Sequence, residues 1–114
     1  MKFSESLKKN DDFRQVYRKA DRRATSHLVL YALSNGTESN RLGISVSKKV
    51  GNSVVRHHLT RLIREAYRLH EDSFCIGQDL VVVAREGSAH ISYAEVESEL
   101  MKLAGLLKLT SNYG

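Results

Sequence analysis

The spacing of apolar residues changes along this chain from helical to strand-like and back, and each change marks an element. Phe13, Val16 and Tyr17 stand at i, i+3, i+4 on one face of a first helix, which Asn10 or Asp11 can cap and which runs to about Lys19. Residues 27–33, HLVLYAL, are apolar enough for a strand with both faces at least partly covered. Residues 34–40, SNGTESN, are dense in turn formers and read as a loop. Residues 41–47, RLGISVS, alternate. Leu42, Ile44 and Val46 point one way, and Gly43, Ser45 and Ser47 point the other, a small polar set that leaves room for a ligand. After a Gly51–Asn52 turn, Val55, Leu59, Leu62, Ile63, Ala66 and Leu69 fall within one helical arc of about 120°. Residues 79–85, DLVVVAR, form a continuous apolar run of strand length, as expected of a central strand. Ser92 and Glu95 make a capping box that opens a last helix, with Val96, Leu100, Leu103 and Leu107 on its buried face. The pattern predicts one domain over residues 1–114, of α+β class. It is a two-layer α/β sandwich, a small mixed sheet with packed helices, in the order α-β-β(-β)-α-β-α.

The polar side of the long helix changes this picture most. His57, Arg61, Arg64 and Arg68 recur at i, i+4, i+7, i+11, opposite the apolar arc, with Arg56 and His58 beside them and Glu65 as the only acid. Like charges at i, i+4 repel by a few tenths of a kcal/mol. A stripe left unrelieved reads as a phosphate-binding surface, against the plainer reading of a solvated face rich in Arg. Lys48 and Lys49 stand just before it, and Arg41 a little earlier. The formal net charge is +5, yet residues 71–114 hold more acids than bases, so the chain has a basic front and an acidic back. Such a field orients a polyanion better than a uniform excess would.

Aromatic residues are few. Phe13 and Tyr17 share a helix face and Tyr31 lies in the next strand, near Arg14, Arg18 and Lys19. Two readings fit: rings that stack unpaired bases, at about 1–3 kcal/mol per base, or rings of the core.

Other classes find little support. No apolar run approaches the roughly 20 residues of a membrane span, and MKFSESLKKNDDF lacks the apolar centre of a signal peptide. The single Cys75 cannot form an internal disulfide, fits a cytoplasmic setting, and is expected to be a buried or half-buried thiol. No Ser-His-Asp arrangement, Walker-type loop or HExxH is present, and no two of His57, His58 and His70 sit at i, i+3 or i+4. Glu95, Glu97 and Glu99 read as a solvated face of the last helix.

Taken in order, LKKNDDFRQVYRKA, LVLYAL, RLGISVSKKVGNSVVR, RLIREAYR and DLVVVAR resemble the protein subunit of bacterial ribonuclease P over nearly the whole length. The family's signature stretch is matched by Val46, Ser47, Lys48, Lys49, Gly51, Asn52, Val54 and Arg56. The resemblance implies a protein that is not itself catalytic. In this family a large RNA removes the 5′ leader of precursor tRNA, with Mg²⁺ held mainly by that RNA and the substrate phosphate. The implied partners are the catalytic RNA and precursor tRNA, with no DNA and no membrane. Lys48, Lys49, Asn52, Arg56, His57, His58, Arg61, Arg64 and Arg68 would face RNA, and Phe13, Arg14, Tyr17, Tyr31, Ser45 and Ser47 would line the leader cleft. The family also implies a left-handed β-α-β crossover, an exception to the right-handed rule.

The sequence departs from the family pattern where it matters. After Arg56 the usual Asn-Arg is His57-His58, and the Lys of the following Lys-Arg pair is Thr60, with Arg61 kept. An unperturbed imidazole is about half charged near pH 6.5, so RNA affinity is expected to depend on pH. Alternatively, Arg22 and Arg23, or the catalytic RNA, make up the lost charge. A generic or ribosomal-type RNA-binding protein or RNA chaperone is the competing function. A DNA-binding module fits less well, because no short turn and partner helix precede the basic helix.

Overall fold

The computed structural model describes residues 3–110. Its elements are β1 (Ser4–Ser6), α1 (Asn10–Lys19), β2 (Asp21–Ala24), β3 (Leu28–Ser34), β4 (Asn40–Ser45), α2 (Ser53–His70), a 3-10 turn (Glu71–Ser73), β5 (Gln78–Ala84) and α3 (Tyr93–Leu106). The five strands form one mixed sheet in the order β1-β4-β5-β3-β2. β5 is central, as its unbroken apolar run requires. It pairs parallel with β4 and antiparallel with β3, and α2 is the crossover between β4 and β5. β1 adds to β4 in parallel, and β2 adds to β3 antiparallel.

Alternation in β5 separates two cores. Leu80 and Val82 join Leu28, Leu30 and Leu42 beneath Leu59, Ile63 and Ala66 of α2 and Val96, Leu100 and Leu103 of α3. Val81 belongs to the opposite side, with Leu7 and with Val16 of α1, flanked by Phe13, Tyr31, Leu33 and Val83. Two helices thus pack with the first cluster and only the short α1 with the second, so Phe13, Tyr31 and Val83 stay half-buried.

Several expectations need correction. β1 and β2 went unpredicted because SES and DRRA carry no apolar alternation; pairing alone makes them strands. Asn10 is the first helical residue of α1, after Lys9, and no side chain caps it. Leu69 is 51% exposed, and Tyr67 takes the inner position instead. At 100° per residue, Leu69 lies about 100° from the Leu59–Ile63 direction, while Tyr67 lies only about 60° from it on the other side. The buried Tyr67 hydroxyl is matched with Ser4 Oγ at 2.6 Å and accepts from Asn40 Nδ2 at 3.4 Å. Burial pushes its pKa up. Leu107 is the C-cap of α3 and only partly buried. Cys75 is exposed, on a segment where its backbone N–H donates to Leu109 and its thiol faces the Lys108 carbonyl.

The acids of α3 are not a solvated face. Glu95 closes the capping box with Ser92. Glu97 takes His70 Nε2 at 2.8 Å and the Tyr93 hydroxyl at 3.2 Å. Glu99 takes the Thr25 hydroxyl, the His27 backbone N–H at 3.0 Å and His27 Nδ1 at 2.6 Å. Successive helix positions point 100° apart, which sends these carboxylates to different neighbours.

Candidate nucleic-acid interface

The α1 side of the sheet is built around a missing side chain. A Cβ at Gly43 would stand 2.6 Å from Phe13 Cζ and 3.2 Å from Leu7 Cβ, so only glycine lets the Phe13 ring lie against β4. Phe13 and Tyr17, one turn apart, have centroids 6.2 Å apart, and Tyr17 meets Tyr31 edge-on at 5.0 Å. The three rings form one continuous row, offset and tilted as aromatic quadrupoles prefer. Tyr17 is 41% exposed at its rim, while Phe13 and Tyr31 are half-buried, so the row is both core and surface. Arg22 pairs across the sheet with Tyr31, sets its guanidinium carbon 6.0 Å from that ring and donates to the hydroxyl at 3.4 Å.

Ser45, two residues beyond Gly43 in β4, shares its face and lies opposite Val83. Ser47 lies past the strand end, where its carbonyl accepts from the Val50 N–H. Arg14 is not brought to the row; it is exposed and paired with Asp11 at 3.1 Å.

The loop after β4 leads straight into the basic surface. Lys48 and Lys49 are exposed, the latter 4.0 Å from Glu86. The Asn52 side chain accepts from Val55 N–H at 3.0 Å and caps α2, so one of its oxygen's roles is structural. His57, His58, Arg61 and Arg64 are exposed and enter no ion pair among the described residues. Arg68 differs: it grips Glu65 through Nε at 3.0 Å and Nη2 at 2.5 Å, lowering the Glu65 pKa and raising its own. The stripe is therefore free over its first turns and neutralised at its last, an i, i+3 pairing that the sequence spacing already allowed.

Arg56 stands apart. It is half-buried, rotated about 80–140° from His57, Arg61, Arg64 and Arg68 toward Ile63 and Tyr67. Its Nε–H is enclosed and finds no acceptor among the described residues. An enclosed donor without a partner costs free energy until an outside oxygen supplies one.

One residue of the basic region is purely structural. Arg41 holds Asp79 with two bonds, Nε to Oδ1 at 2.9 Å and Nη2 to Oδ2 at 2.6 Å, and reaches Asp12 of α1 at 3.2 Å. Burial alone would push the Asp79 carboxyl up, but hydrogen bonds from Arg41 and Asn35 and the Arg41 charge outweigh it and hold the pKa below the usual carboxylate range. The Arg41 guanidinium shifts up in answer.

Among the described residues no three His, Cys, Asp or Glu side chains converge to hold a metal ion. Among the same residues no helix is long and apolar enough to cross a membrane.

A family model described as Ribonuclease P matches residues 1–108. The ribonuclease P protein component of Lachnoclostridium phytofermentans is 52% identical over 109 residues, covering 96% of this chain and 94% of that protein. That of Alkaliphilus metalliredigens is 45% identical over 111 residues, covering 97% of this chain and 100% of that protein. Among solved structures, the RNase P protein of Staphylococcus aureus superposes with a TM-score of 0.87 at 32% identity, covering 95% of this chain and 99% of its own. That of Thermotoga maritima superposes with a TM-score of 0.79 at 26% identity, over 86% of this chain and 93% of its own.

Proposed function

Since this chain belongs to the ribonuclease P protein family, we propose that its two surfaces divide the work of RNA binding, with α2 and its preceding loop on the catalytic RNA and the aromatic row on the precursor-tRNA leader. It is the protein component of an endoribonuclease whose catalytic activity lies in the RNA, and it acts in tRNA processing as part of a ribonucleoprotein. The observation that carries the division is chain continuity. β4 brings Ser45 onto the sheet face of the rings and, within three residues, becomes the Lys48–Lys49 loop that opens α2.

The chemistry of each surface suits its share. Stacked rings accept any base face, as a leader of varying sequence requires, whereas exposed guanidinium groups track phosphates. Lys48, Lys49, His57, His58, Arg61 and Arg64 supply charge to the RNA contact, and Arg56 offers its enclosed Nε–H. Phe13, Tyr17, Tyr31 and Ser45 form the leader cleft, with Ser47 at its mouth. Arg14 and Arg68 act as paired charges at the margins.

A cationic surface is a poor donor set for Mg²⁺. In this reading the ion belongs to the RNA and the substrate phosphates, where it supplies Lewis-acid chemistry, and the protein orients the leader and screens phosphate repulsion. The holoenzyme works in the cytoplasm, where precursor tRNA is made.

The test is cleavage of a precursor tRNA at low Mg²⁺ by a bacterial ribonuclease P RNA alone, by the protein alone and by both. Cleavage at the mature 5′ end in the combined sample only is the expected result. Cleavage by the protein alone would overturn the division of labour, and affinity indifferent to the leader would return the aromatic row to the core.

A further inference from the structure

The aromatic row does not end at Tyr31. Beyond it, at the β2 edge of the sheet, lies a cavity of about 390 Å³ lined by Arg22, Arg23, Ala24, Val29 and Arg85. Ala24 pairs with Val29 as Arg22 pairs with Tyr31, so these four side chains share the sheet face that carries the rings. The cavity thus has an apolar floor of Ala24 and Val29, with Arg22 on the same face, Arg23 rooted on the opposite face at the open strand edge, Arg85 beside them, and no carboxylate in its lining.

None of the three arginines is spent on an acid. Arg22 reaches only the Tyr31 hydroxyl, Arg85 donates to the Thr25 carbonyl at 2.7 Å, and none of them enters an ion pair among the described residues. Glu99 borders a neighbouring cavity with Arg85, but its oxygens are taken by Thr25 and His27. Like charges gathered at the rim of one cavity raise the free energy of the empty surface, and an anion removes that cost. Arginine forks match the two oxygens of a phosphodiester, and the lining holds no aromatic ring on which a base could stack.

We propose that Arg22, Arg23 and Arg85 form a phosphate subsite for single-stranded RNA, which holds the backbone of leader nucleotides after they pass Tyr31. The proposal deepens the reading of the aromatic row as the leader cleft and rests on it. It makes the leader site of this protein longer than the row of rings. The row reads bases by stacking, and the subsite counts phosphates. Part of the charge absent at His58 and Thr60 is thereby present elsewhere, on a different stretch of the substrate.

The experiment uses the holoenzyme, reconstituted with a bacterial ribonuclease P RNA, and precursor tRNAs whose leaders lengthen one nucleotide at a time. Affinity is measured against salt for the native protein and for R23Q/R85Q, which keeps Arg22 on Tyr31. For the native protein, affinity is expected to rise with leader length in two stages, the rings first and the arginines second. For R23Q/R85Q the first stage persists and the second disappears, with about a fivefold to tenfold loss on long leaders only. The slope of log affinity on log salt flattens by about 0.7 for each phosphate that is no longer neutralised. R23K/R85K, which keeps the charge, restores most of the slope.

An equal loss at every leader length would overturn the proposal and assign the arginines to the catalytic RNA. An intact second stage in R23Q/R85Q would overturn it as well, while leaving the cleft reading standing. A native protein with no leader-length dependence at all would instead refute the cleft reading on which the subsite rests. The short-leader arm reports folding, because a misfolded variant loses the first stage too.

Discussion

Arg41 and Asp79 face each other across the parallel β4–β5 pair and are joined by two hydrogen bonds of 2.9 and 2.6 Å. The Asp79 side chain is 7% exposed and the Arg41 side chain 33%. Because Arg41 also reaches Asp12, one side chain ties α1 to both β4 and β5. Replacing Asp79 by Asn leaves Arg41 with Asp12 as its remaining counter-ion and is expected to cost about 1–3 kcal/mol. The folded-state pKa of Asp79 is depressed, so its contribution is fully present above the unfolded carboxylate pKa and is lost as pH falls through the folded one. Acid unfolding of the native protein and of D79N should therefore converge at low pH and differ most near neutrality, as chemical denaturation across pH will show.

Gly43→Ala tests the floor of the cleft. The new methyl would meet the far end of the Phe13 ring at 2.6 Å, so the ring must move. A loss of about 1–3 kcal/mol in stability is expected, as for other overpacked sites, together with weaker leader binding. G43A combined with Phe13→Leu should recover stability but not leader affinity, measured by thermal melting and by binding of leader-bearing precursor tRNA.

Tyr31 separates stacking from packing. Tyr31→Phe keeps the ring and its edge contact with Tyr17 and loses only the Arg22 bond. Its effect on leader affinity is expected to be small. Tyr31→Ala should cost about 1–3 kcal/mol of leader affinity and leave binding of leaderless tRNA unchanged. If Y31A instead unfolds the protein by circular dichroism, the ring is core and the leader assignment fails.

On α2, free and paired arginines should behave differently. Arg61→Ala and Arg64→Ala are each expected to weaken binding of the catalytic RNA and to flatten its salt dependence by about 0.7–0.9 in log–log slope. Arg68→Ala should do less, because Glu65 already holds that charge. Filter binding over a salt series compares all three.

What the sequence disclosed depended on how local each signal is. The i, i+4 pair Phe13–Tyr17 and the period-two run of β4 are written within a few residues, and the fold has a helix and a strand in those places. The capping box of α3 is equally local and forms as its spacing predicts. β1 and β2 were hidden because their polar residues become strands only through distant partners. The roles of Arg41, Glu97 and Glu99 were hidden for the same reason, since each carboxylate or guanidinium meets residues far along the chain. Charge counted along a sequence treats every ion as free. The fold removes Arg14, Arg41 and Arg68 from that count and leaves Arg22, Arg23 and Arg85 in it.

Both margins of the sheet are short and polar: SES on one side and DRRA on the other. An open strand margin is a template on which another chain can add, and short length with charge is how soluble folds discourage it. The arginines of β2 therefore disfavour edge-to-edge pairing with another strand. Replacing them with apolar β-formers would turn a charged margin into an adhesive one.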